Sequence, residues 1–145
     1  MKNNNKSESL KEKFRQALSS TAKVISGDYS LKEKSDENKS SKKFDFFNLE
    51  NLNSKNDFIK ARAESDSSAL KKKFSNNEIY KKNLPNNSSY NSLYSIAEKI
   101  RYELLGSKML KGVEKNLKEN YNQIISLKRK DQLKTKEDVP VIEAF

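Results

Sequence analysis

The chain has 145 residues, of which 30 are Lys or Arg and 20 are Asp or Glu, so its formal net charge at pH 7 is +10. It contains no cysteine and no histidine, which excludes disulfides, thiolate metal sites and catalysis by a Cys or His nucleophile–base pair. Apolar residues make up only 33% of the chain, so we expect a modest helical core with disordered segments attached.

The positive charge has two interpretations. Lysine supplies 26 of the 30 basic residues, and asparagine, at 17, is also abundant. High contents of both lysine and asparagine indicate a nucleotide-composition bias in the coding gene. A surface that binds bases or phosphates would be expected to use more arginine. We favour the bias and keep a nucleic-acid-binding surface as the alternative. No apolar run approaches the ~18 residues of a membrane span, and the N-terminus lacks the apolar stretch of a secretory signal, so we expect cytoplasmic localisation.

The fold class predicted from the periodicity is mainly α, with about four principal helices. Residues 1–6 are predicted to form a disordered tail, and a helical domain is predicted over 7–130. The first helix begins near Ser7 or Ser9, carries an apolar stripe through Leu18 and Ile25, and ends at Gly27, where a left-handed cap costs least. Residues 28–53 are predicted to be a flexible or short hairpin-like insertion, with an irregular segment slightly favoured over the hairpin.

The second helix is predicted from about Ser54 to Phe74, with Ser54 and Asp57 as caps. Its apolar stripe includes a carboxylate, Asp66, and Arg62 precedes it by four residues, which is the spacing of an ion pair on one helix face. The segment after Phe74 is predicted to turn the chain, with one helical turn from Glu78 to Lys82 as an alternative.

The third helix is predicted to begin at Ser88 or Ser89 with a stripe through Tyr90, Leu93, Ala97, Ile100 and Leu104. The fourth runs to about Arg129 with a stripe through Leu110, Val113, Leu117, Ile124 and Leu127. Gly106 is expected to separate the two helices with a positive φ, and Gly112 is expected to mark a point where another helix, or a partner, approaches the backbone closely. Residues 131–145 are predicted to be a linker and the start of a further helix in a chain that ends early.

No catalytic or metal-binding constellation is visible. A phosphate-binding Gly-x-x-x-x-Gly-Lys-Ser/Thr loop is missing, and the SDSS run at 65–68 is an incomplete adhesion-type metal motif. Two arginine–carboxylate pairs, Arg62 with Asp66 and Glu98 with Arg101, are candidates either for partner docking or for ordinary surface pairing.

Three blocks carry a resemblance to a known family: FRQALSSTAKVISGD (14–28), ARAESDSSAL (61–70) and AEKIRYELLGSKMLKGVEKNL (97–117). In order and spacing they resemble the N-terminal region of the CobT-type subunit of aerobic cobaltochelatase. The matching positions are Arg62, Asp66, Ala69, Leu70, Glu98, Arg101, Gly106, Gly112, Val113, Asn116 and Leu117. Seven of them are candidate partner-docking or structural residues: Arg62, Asp66, Glu98, Arg101, Gly106, Gly112 and Asn116. Ser65 departs from the family pattern, as does the absence of histidine.

The resemblance implies a subunit of an ATP-dependent enzyme that inserts Co²⁺ into hydrogenobyrinic acid a,c-diamide in aerobic cobalamin biosynthesis. Its partners would be an AAA+ ATPase subunit and a large corrinoid-binding subunit. The complex would use ATP, Mg²⁺ and Co²⁺, while this chain would bind no cofactor, and alone would be inactive. The alternatives from other classes are a basic helical nucleic-acid binder and a helical scaffold without an assigned partner.

Overall fold

The structure, a computed structural model, describes residues 2–33, 43–44 and 52–131, and the side chains of 8–31 and 52–127. These ranges contain α1 (Lys2–Ser26), β1 (Lys32–Glu33), β2 (Lys43–Phe44), α2 (Lys55–Phe74), α3 (Asn77–Lys82), α4 (Ser88–Met109) and α5 (Lys111–Asp131). The mainly helical fold class is confirmed: α1, α2, α4 and α5 are the four principal helices, and α3 is a short addition. The chain divides into two compact units, Met1–Lys73 and Phe74–Phe145.

The first helix begins earlier than its sequence predicts. α1 includes residues 2–6, which were expected to be a disordered tail, and Ser7 and Ser9 are therefore interior positions rather than caps. The physical reason is that neither glycine nor proline interrupts the chain before Gly27, so nothing in this stretch stops a helix from extending.

The end of α1 agrees with the prediction. Gly27 has φ +72°, and its N–H donates to the carbonyl of Lys23 at 3.0 Å, as expected for a glycine that closes a helix in the left-handed region. Asp28 follows, and its carboxylate pairs with Lys72 of α2 and accepts from the backbone N–H of Ser30 at 2.9 Å. The bond from Lys72, followed by those from Ser30, holds the pKa of Asp28 well below its usual range.

The two short strands pair in parallel, with Lys32 opposite Lys43 and Glu33 opposite Phe44. A hairpin is antiparallel, so the hairpin alternative is wrong for these four residues. With two residues in each strand, the alternation of apolar and polar residues is too short to determine which residues pair. The rest of the predicted insertion, 34–42 and 45–51, and the predicted terminal segment 132–145 lie outside the described residues.

The core of the first unit lies where α1 meets the start of α2. Leu18, Leu52 and Ala61 form a buried cluster, and Phe14 and Phe58 pack against it with their rings edge to face at 4.9 Å between centroids. This packing uses the apolar face of α1 that the helical spacing predicts.

Local hydrogen bonds define the start of α2. The Ser54 hydroxyl donates to Asp57 Oδ2 at 2.8 Å, and the same carboxylate oxygen accepts the backbone N–H groups of Ser54 at 2.7 Å and Asn53 at 3.1 Å. In return, the backbone N–H of Asp57 donates to Ser54 Oγ at 3.2 Å. This reciprocal arrangement is a capping box, and it confirms the predicted caps. The helix is buried on more than one side, and its buried residues are Ala61, Ala63, Ser65, Asp66, Ser67, Ala69 and Leu70.

The second unit contains α3, α4 and α5, and its most extensive helix–helix packing is between α4 and α5. Leu110 is the one residue between these helices, and its extended backbone (φ −133°, ψ 106°) turns the chain. Across the pair, the hydroxyl of Tyr121 donates to Glu103 Oε2 at 2.7 Å. Val113 and Leu117 of α5 are buried, as predicted.

The apolar stripe predicted for α4 does not lie on the buried side of this helix. Tyr90, Ala97, Ile100 and Leu104 are exposed, whereas the buried residues of this helix are Tyr102, Glu103 and Gly106. A carboxylate and a glycine give no hydropathy signal, so a search for apolar periodicity selects the opposite side of the helix. The last part of the α5 stripe is also exposed, at Ile124 and Leu127.

A positive φ at Gly106 and a close contact of Gly112 with another helix are both wrong. Gly106 lies inside α4 with a negative φ, since Gly27 is the one glycine with a positive φ among the described residues. The break comes four residues later, at Leu110, whose N–H donates to the Gly106 carbonyl at 2.8 Å. Gly112 lies in the first turn of α5, and a Cβ added there would meet no atom within 4 Å. Among the described residues it therefore marks no close contact with another helix, and the alternative of a contact with a partner stays a prediction.

We expect alanine substitutions at two glycines to shift stability in opposite directions. Gly27→Ala should lower the free energy of unfolding by about 1 kcal/mol, because a Cβ is disfavoured in the left-handed region. Gly112→Ala should raise it by up to about 1 kcal/mol, because alanine is the better helix former and has open space. Urea unfolding followed by circular dichroism measures both. A destabilised Gly112→Ala chain would contradict the open surroundings of this residue.

Within the described residues, no helix is both long and apolar enough to cross a membrane.

Candidate functional site

A pocket of about 530 Å³ opens in the second unit. Its volume lies within the range of small-molecule binding sites. It lies between α3, α4 and the residues that precede α3. Its lining residues are Phe74, Asn76, Ile79, Tyr80, Tyr94, Ala97, Glu98 and Arg101.

Helical spacing and a local cap bring these residues together. On α4, positions 94, 97, 98 and 101 recur every three or four residues and therefore share one face. The short α3 begins at a defined point because the Asn76 side chain accepts the backbone N–H groups of Glu78 at 2.9 Å and Ile79 at 3.2 Å. This cap fixes where Ile79 and Tyr80 stand in the pocket wall.

The Glu98–Arg101 pair ties α4 to the start of the second unit. Arg101 Nε donates to Glu98 Oε2 at 2.7 Å, and Nη2 donates to Glu98 Oε1 at 2.8 Å. Nη2 also donates to the backbone carbonyl of Phe74 at 2.7 Å, and the Ser75 hydroxyl donates to Glu98 Oε1 at 2.6 Å. The bond to Glu98 raises the pKa of Arg101 above its usual value, so this guanidinium carries its charge at every physiological pH.

Two tyrosines form the aromatic side of the pocket. The rings of Tyr80 and Tyr94 lie 5.2 Å apart between centroids. The Tyr80 hydroxyl and Ser95 Oγ are 2.7 Å apart, and because Ser95 Oγ donates to the Asn91 carbonyl at 2.8 Å, Tyr80 is the donor to Ser95. The wall that contains Tyr80 is therefore attached to α4 by a specific bond as well as by ring packing.

The structure brings together some of the sequence-predicted residues and separates others. Glu98 and Arg101 form the predicted ion pair and lie in the pocket. Arg62 is exposed while Asp66 is 1% exposed, and no ion pair joins them among the described residues. The other candidates lie outside the pocket lining: Gly106 is buried in α4, Gly112 is exposed on α5 and Asn116 is half-buried on α5.

The sequence analysis missed the remaining parts of the pocket. Phe74, Ser75 and Tyr80 were placed in a helix end and a turn, and nothing in their spacing indicates contact with α4. One local signal was present at Asn76, because asparagine is a common N-cap residue at the start of a helix.

The groups in this pocket can hold a ligand by packing and by charge-assisted hydrogen bonds. It offers aromatic and aliphatic walls, one guanidinium and one carboxylate. In the part of the chain that the structure describes, no group of three or more acidic, His or Cys side chains could hold a metal ion. The SDSS run at 65–68 lies within α2 with Ser65, Asp66 and Ser67 buried.

We expect the additional bond of Arg101 to be measurable against a matched surface pair. Arg15 and Glu12 of α1 also form a two-point pair at the same three-residue spacing. Arg15→Gln should change the free energy of unfolding by less than about 0.5 kcal/mol. Arg101→Gln should lower it by about 1 kcal/mol, a value reduced by the partial exposure of Arg101. Equal effects in urea unfolding would show that the Phe74 bond contributes nothing.

Comparison with known families gives a match that covers nearly the whole chain. The family model described as cobalamin biosynthesis protein CobT matches residues 8–145. Among curated proteins and among solved structures, nothing matches. The match includes all three blocks on which the resemblance was based, as well as the pocket residues. The chain therefore belongs to the CobT family of cobalamin biosynthesis proteins.

Proposed function

We propose that the chain acts within a cobaltochelatase, as the N-terminal part of the subunit that couples an AAA+ ATPase partner to the insertion of Co²⁺ into hydrogenobyrinic acid a,c-diamide. The observation that carries this proposal is the family match over residues 8–145. The helical architecture supports it, since packed helices can transmit a rigid-body movement from one partner to another.

The physical need for such a coupling subunit comes from the reaction. Insertion of a metal requires the ring nitrogens to lose their protons and the macrocycle to distort. In the proposed assembly, the ATPase subunit supplies a conformational change, the large subunit holds the corrinoid and Co²⁺, and this chain connects the two. ATP, Mg²⁺ and Co²⁺ are then bound by the partners, and Co²⁺ is a substrate of the complex.

The first test is assembly. The purified chain should co-elute with the AAA+ chelatase subunit of the same organism in size-exclusion chromatography with ATP. Isothermal titration of the chain alone with ATP or with Co²⁺ should show no micromolar site. Elution of the two proteins as separate species with and without ATP would contradict the proposal.

The second test is inhibition of the enzyme. Excess chain should compete with the intact subunit and lower the rate of ATP-dependent Co²⁺ insertion by the three-subunit enzyme, while leaving the ATPase activity of the AAA+ subunit alone unchanged. An undiminished insertion rate at saturating chain would count against a coupling role. Salt-sensitive binding to DNA or RNA in place of the ATPase would favour the nucleic-acid alternative.

A further inference from the structure

The pocket in the second unit has polar groups that its own contacts do not use. Arg101 donates from Nε and Nη2 to the Glu98 carboxylate, and from Nη2 also to the Phe74 carbonyl. Within the described residues, Nη1 of Arg101 and the hydroxyl of Tyr94 make no hydrogen bond. Both residues line the pocket, and their spacing of seven residues places them on the same face of α4.

These unused donors are held in place before any ligand arrives. The guanidinium is planar, so fixing Nε and Nη2 also fixes the direction of the two N–H groups on Nη1. A carboxylate that binds there gains charge-assisted hydrogen bonds without the entropic cost of ordering the arginine. The arrangement therefore favours a ligand with a carboxylate.

An apolar anchor point lies beside these donors. Ile79 is 59% exposed although it lines the pocket together with Phe74 and the rings of Tyr80 and Tyr94. An aliphatic or aromatic side chain entering the pocket would cover these surfaces, which is the pattern of an anchor residue in a protein interface.

The net charge of the second unit further restricts the class of ligand. Residues 74–131 contain eleven Lys or Arg and six Asp or Glu, so an acidic segment would be attracted to it. A nucleic acid fits the pocket less well, because Arg101 is the one cation among the lining residues and Glu98 lies beside it. A phosphate backbone would require several cations in a row.

We propose that this pocket binds a segment of a partner protein in which an aliphatic or aromatic side chain stands next to Asp or Glu. The apolar side chain occupies the space between Ile79, Tyr80 and Tyr94. The neighbouring carboxylate accepts hydrogen bonds from Nη1 of Arg101 and from the hydroxyl of Tyr94. This assignment is independent of the chelatase role, because it rests on the pocket alone.

The experiment is a selection followed by a binding measurement. A phage library of random 12-residue peptides is selected on the full 145-residue chain, and the consensus peptide is made with a fluorescein label. We expect the consensus to place an aliphatic or aromatic residue beside Asp or Glu. Fluorescence anisotropy then gives the affinity for the chain and its variants, with fluorescein-labelled dT12 as the nucleic-acid probe.

Variants at one exposed position, Ile79, and one half-buried position, Tyr94, test the location of binding without changing a fully buried residue. Ile79→Asp should weaken peptide binding about tenfold or more by placing a negative charge at the anchor, and Tyr94→Phe should weaken it a few-fold through one lost donor. Leu104→Asp is the matched control, since Leu104 is 56% exposed and lies outside the pocket, and it should bind within about twofold of the original chain.

Four results would overturn the assignment, and three of them concern the selected peptide. They are a selection without enrichment, a consensus that lacks an acidic residue, and equal losses of affinity in Ile79→Asp and Leu104→Asp. Binding of dT12 in preference to the selected peptide would likewise contradict a peptide-binding pocket.

Discussion

Leu70→Ala should lower the free energy of unfolding by about 2–5 kcal/mol, which is the range for removing a leucine side chain from a closed core. Leu70 is 0% exposed, and its neighbour Ala69 is also 0% exposed. The loss combines the transfer free energy of the removed methyl groups with the cavity that they leave. Urea unfolding followed by helical circular dichroism measures it.

An exposed leucine of the same unit is the control for Leu70. Leu10 of α1 is 59% exposed, and Leu10→Ala should change the free energy of unfolding by less than about 0.5 kcal/mol. If the two substitutions had the same effect, Leu70 would not belong to a packed core, and the burial of α2 would need another explanation.

Tyr121→Phe should lower the free energy of unfolding by about 2 kcal/mol, because it removes a hydrogen bond donated to a charged group. The acceptor, Glu103, is 6% exposed, so a donor that it loses is not readily replaced by water. The ammonium of Lys99 lies 3.8 Å from Glu103 Oε1 and 5.7 Å from the centre of the Tyr121 ring. The substitution therefore affects a small network between α4 and α5.

The same substitution should change the pH dependence of stability. Burial, and next the bond to Glu103, raise the pKa of Tyr121 above its ordinary value of 10.0. A raised pKa means that the folded state holds the proton more tightly than the unfolded state. The contribution of Tyr121 is thus complete below pH 10 and is lost as the pH rises through the folded-state pKa.

Unfolding curves at pH 8 and at pH 10.5 distinguish this contribution from a general loss. The difference in stability between the original chain and Tyr121→Phe should shrink at the higher pH. Tyr90→Phe is the control, since Tyr90 is 63% exposed, and it should behave like the original chain at both pH values. A difference that stays constant with pH would show that Tyr121 does not titrate differently on folding.

The features predicted correctly from the sequence are those whose donors and acceptors lie within a few residues. The capping box of Ser54 and Asp57 and the left-handed Gly27 both depend on local backbone geometry, so residue type and order are enough to find them. The ion pair of Glu98 and Arg101 is also local, because three residues on a helix place the two side chains together.

Features that depend on distant parts of the chain could not be found in this way. The bond from Arg101 to the Phe74 carbonyl joins residues 27 positions apart, and a backbone carbonyl leaves no trace in the sequence. The buried side of α4 is occupied by Tyr102, Glu103 and Gly106, so the apolar pattern of this helix reports its exposed side instead. Gly106 was wrongly placed at the turn because the presence of a glycine does not distinguish a turn from a helix interior. The spacing around Gly112 likewise does not show whether another helix lies against it.

The single residue between α4 and α5 restricts where this half of the chain can vary in length. Leu110 donates its N–H to Gly106 and accepts the N–H of Glu114 at its carbonyl, so the last bond of one helix and the first of the next share this residue. An insertion in the first turn of α5 would rotate every following side chain by about 100° and turn Val113 or Leu117 away from the buried side. Insertions and deletions among relatives should therefore fall at Pro85 and Asn86, between the caps of α3 and α4, where no helical register has to be kept.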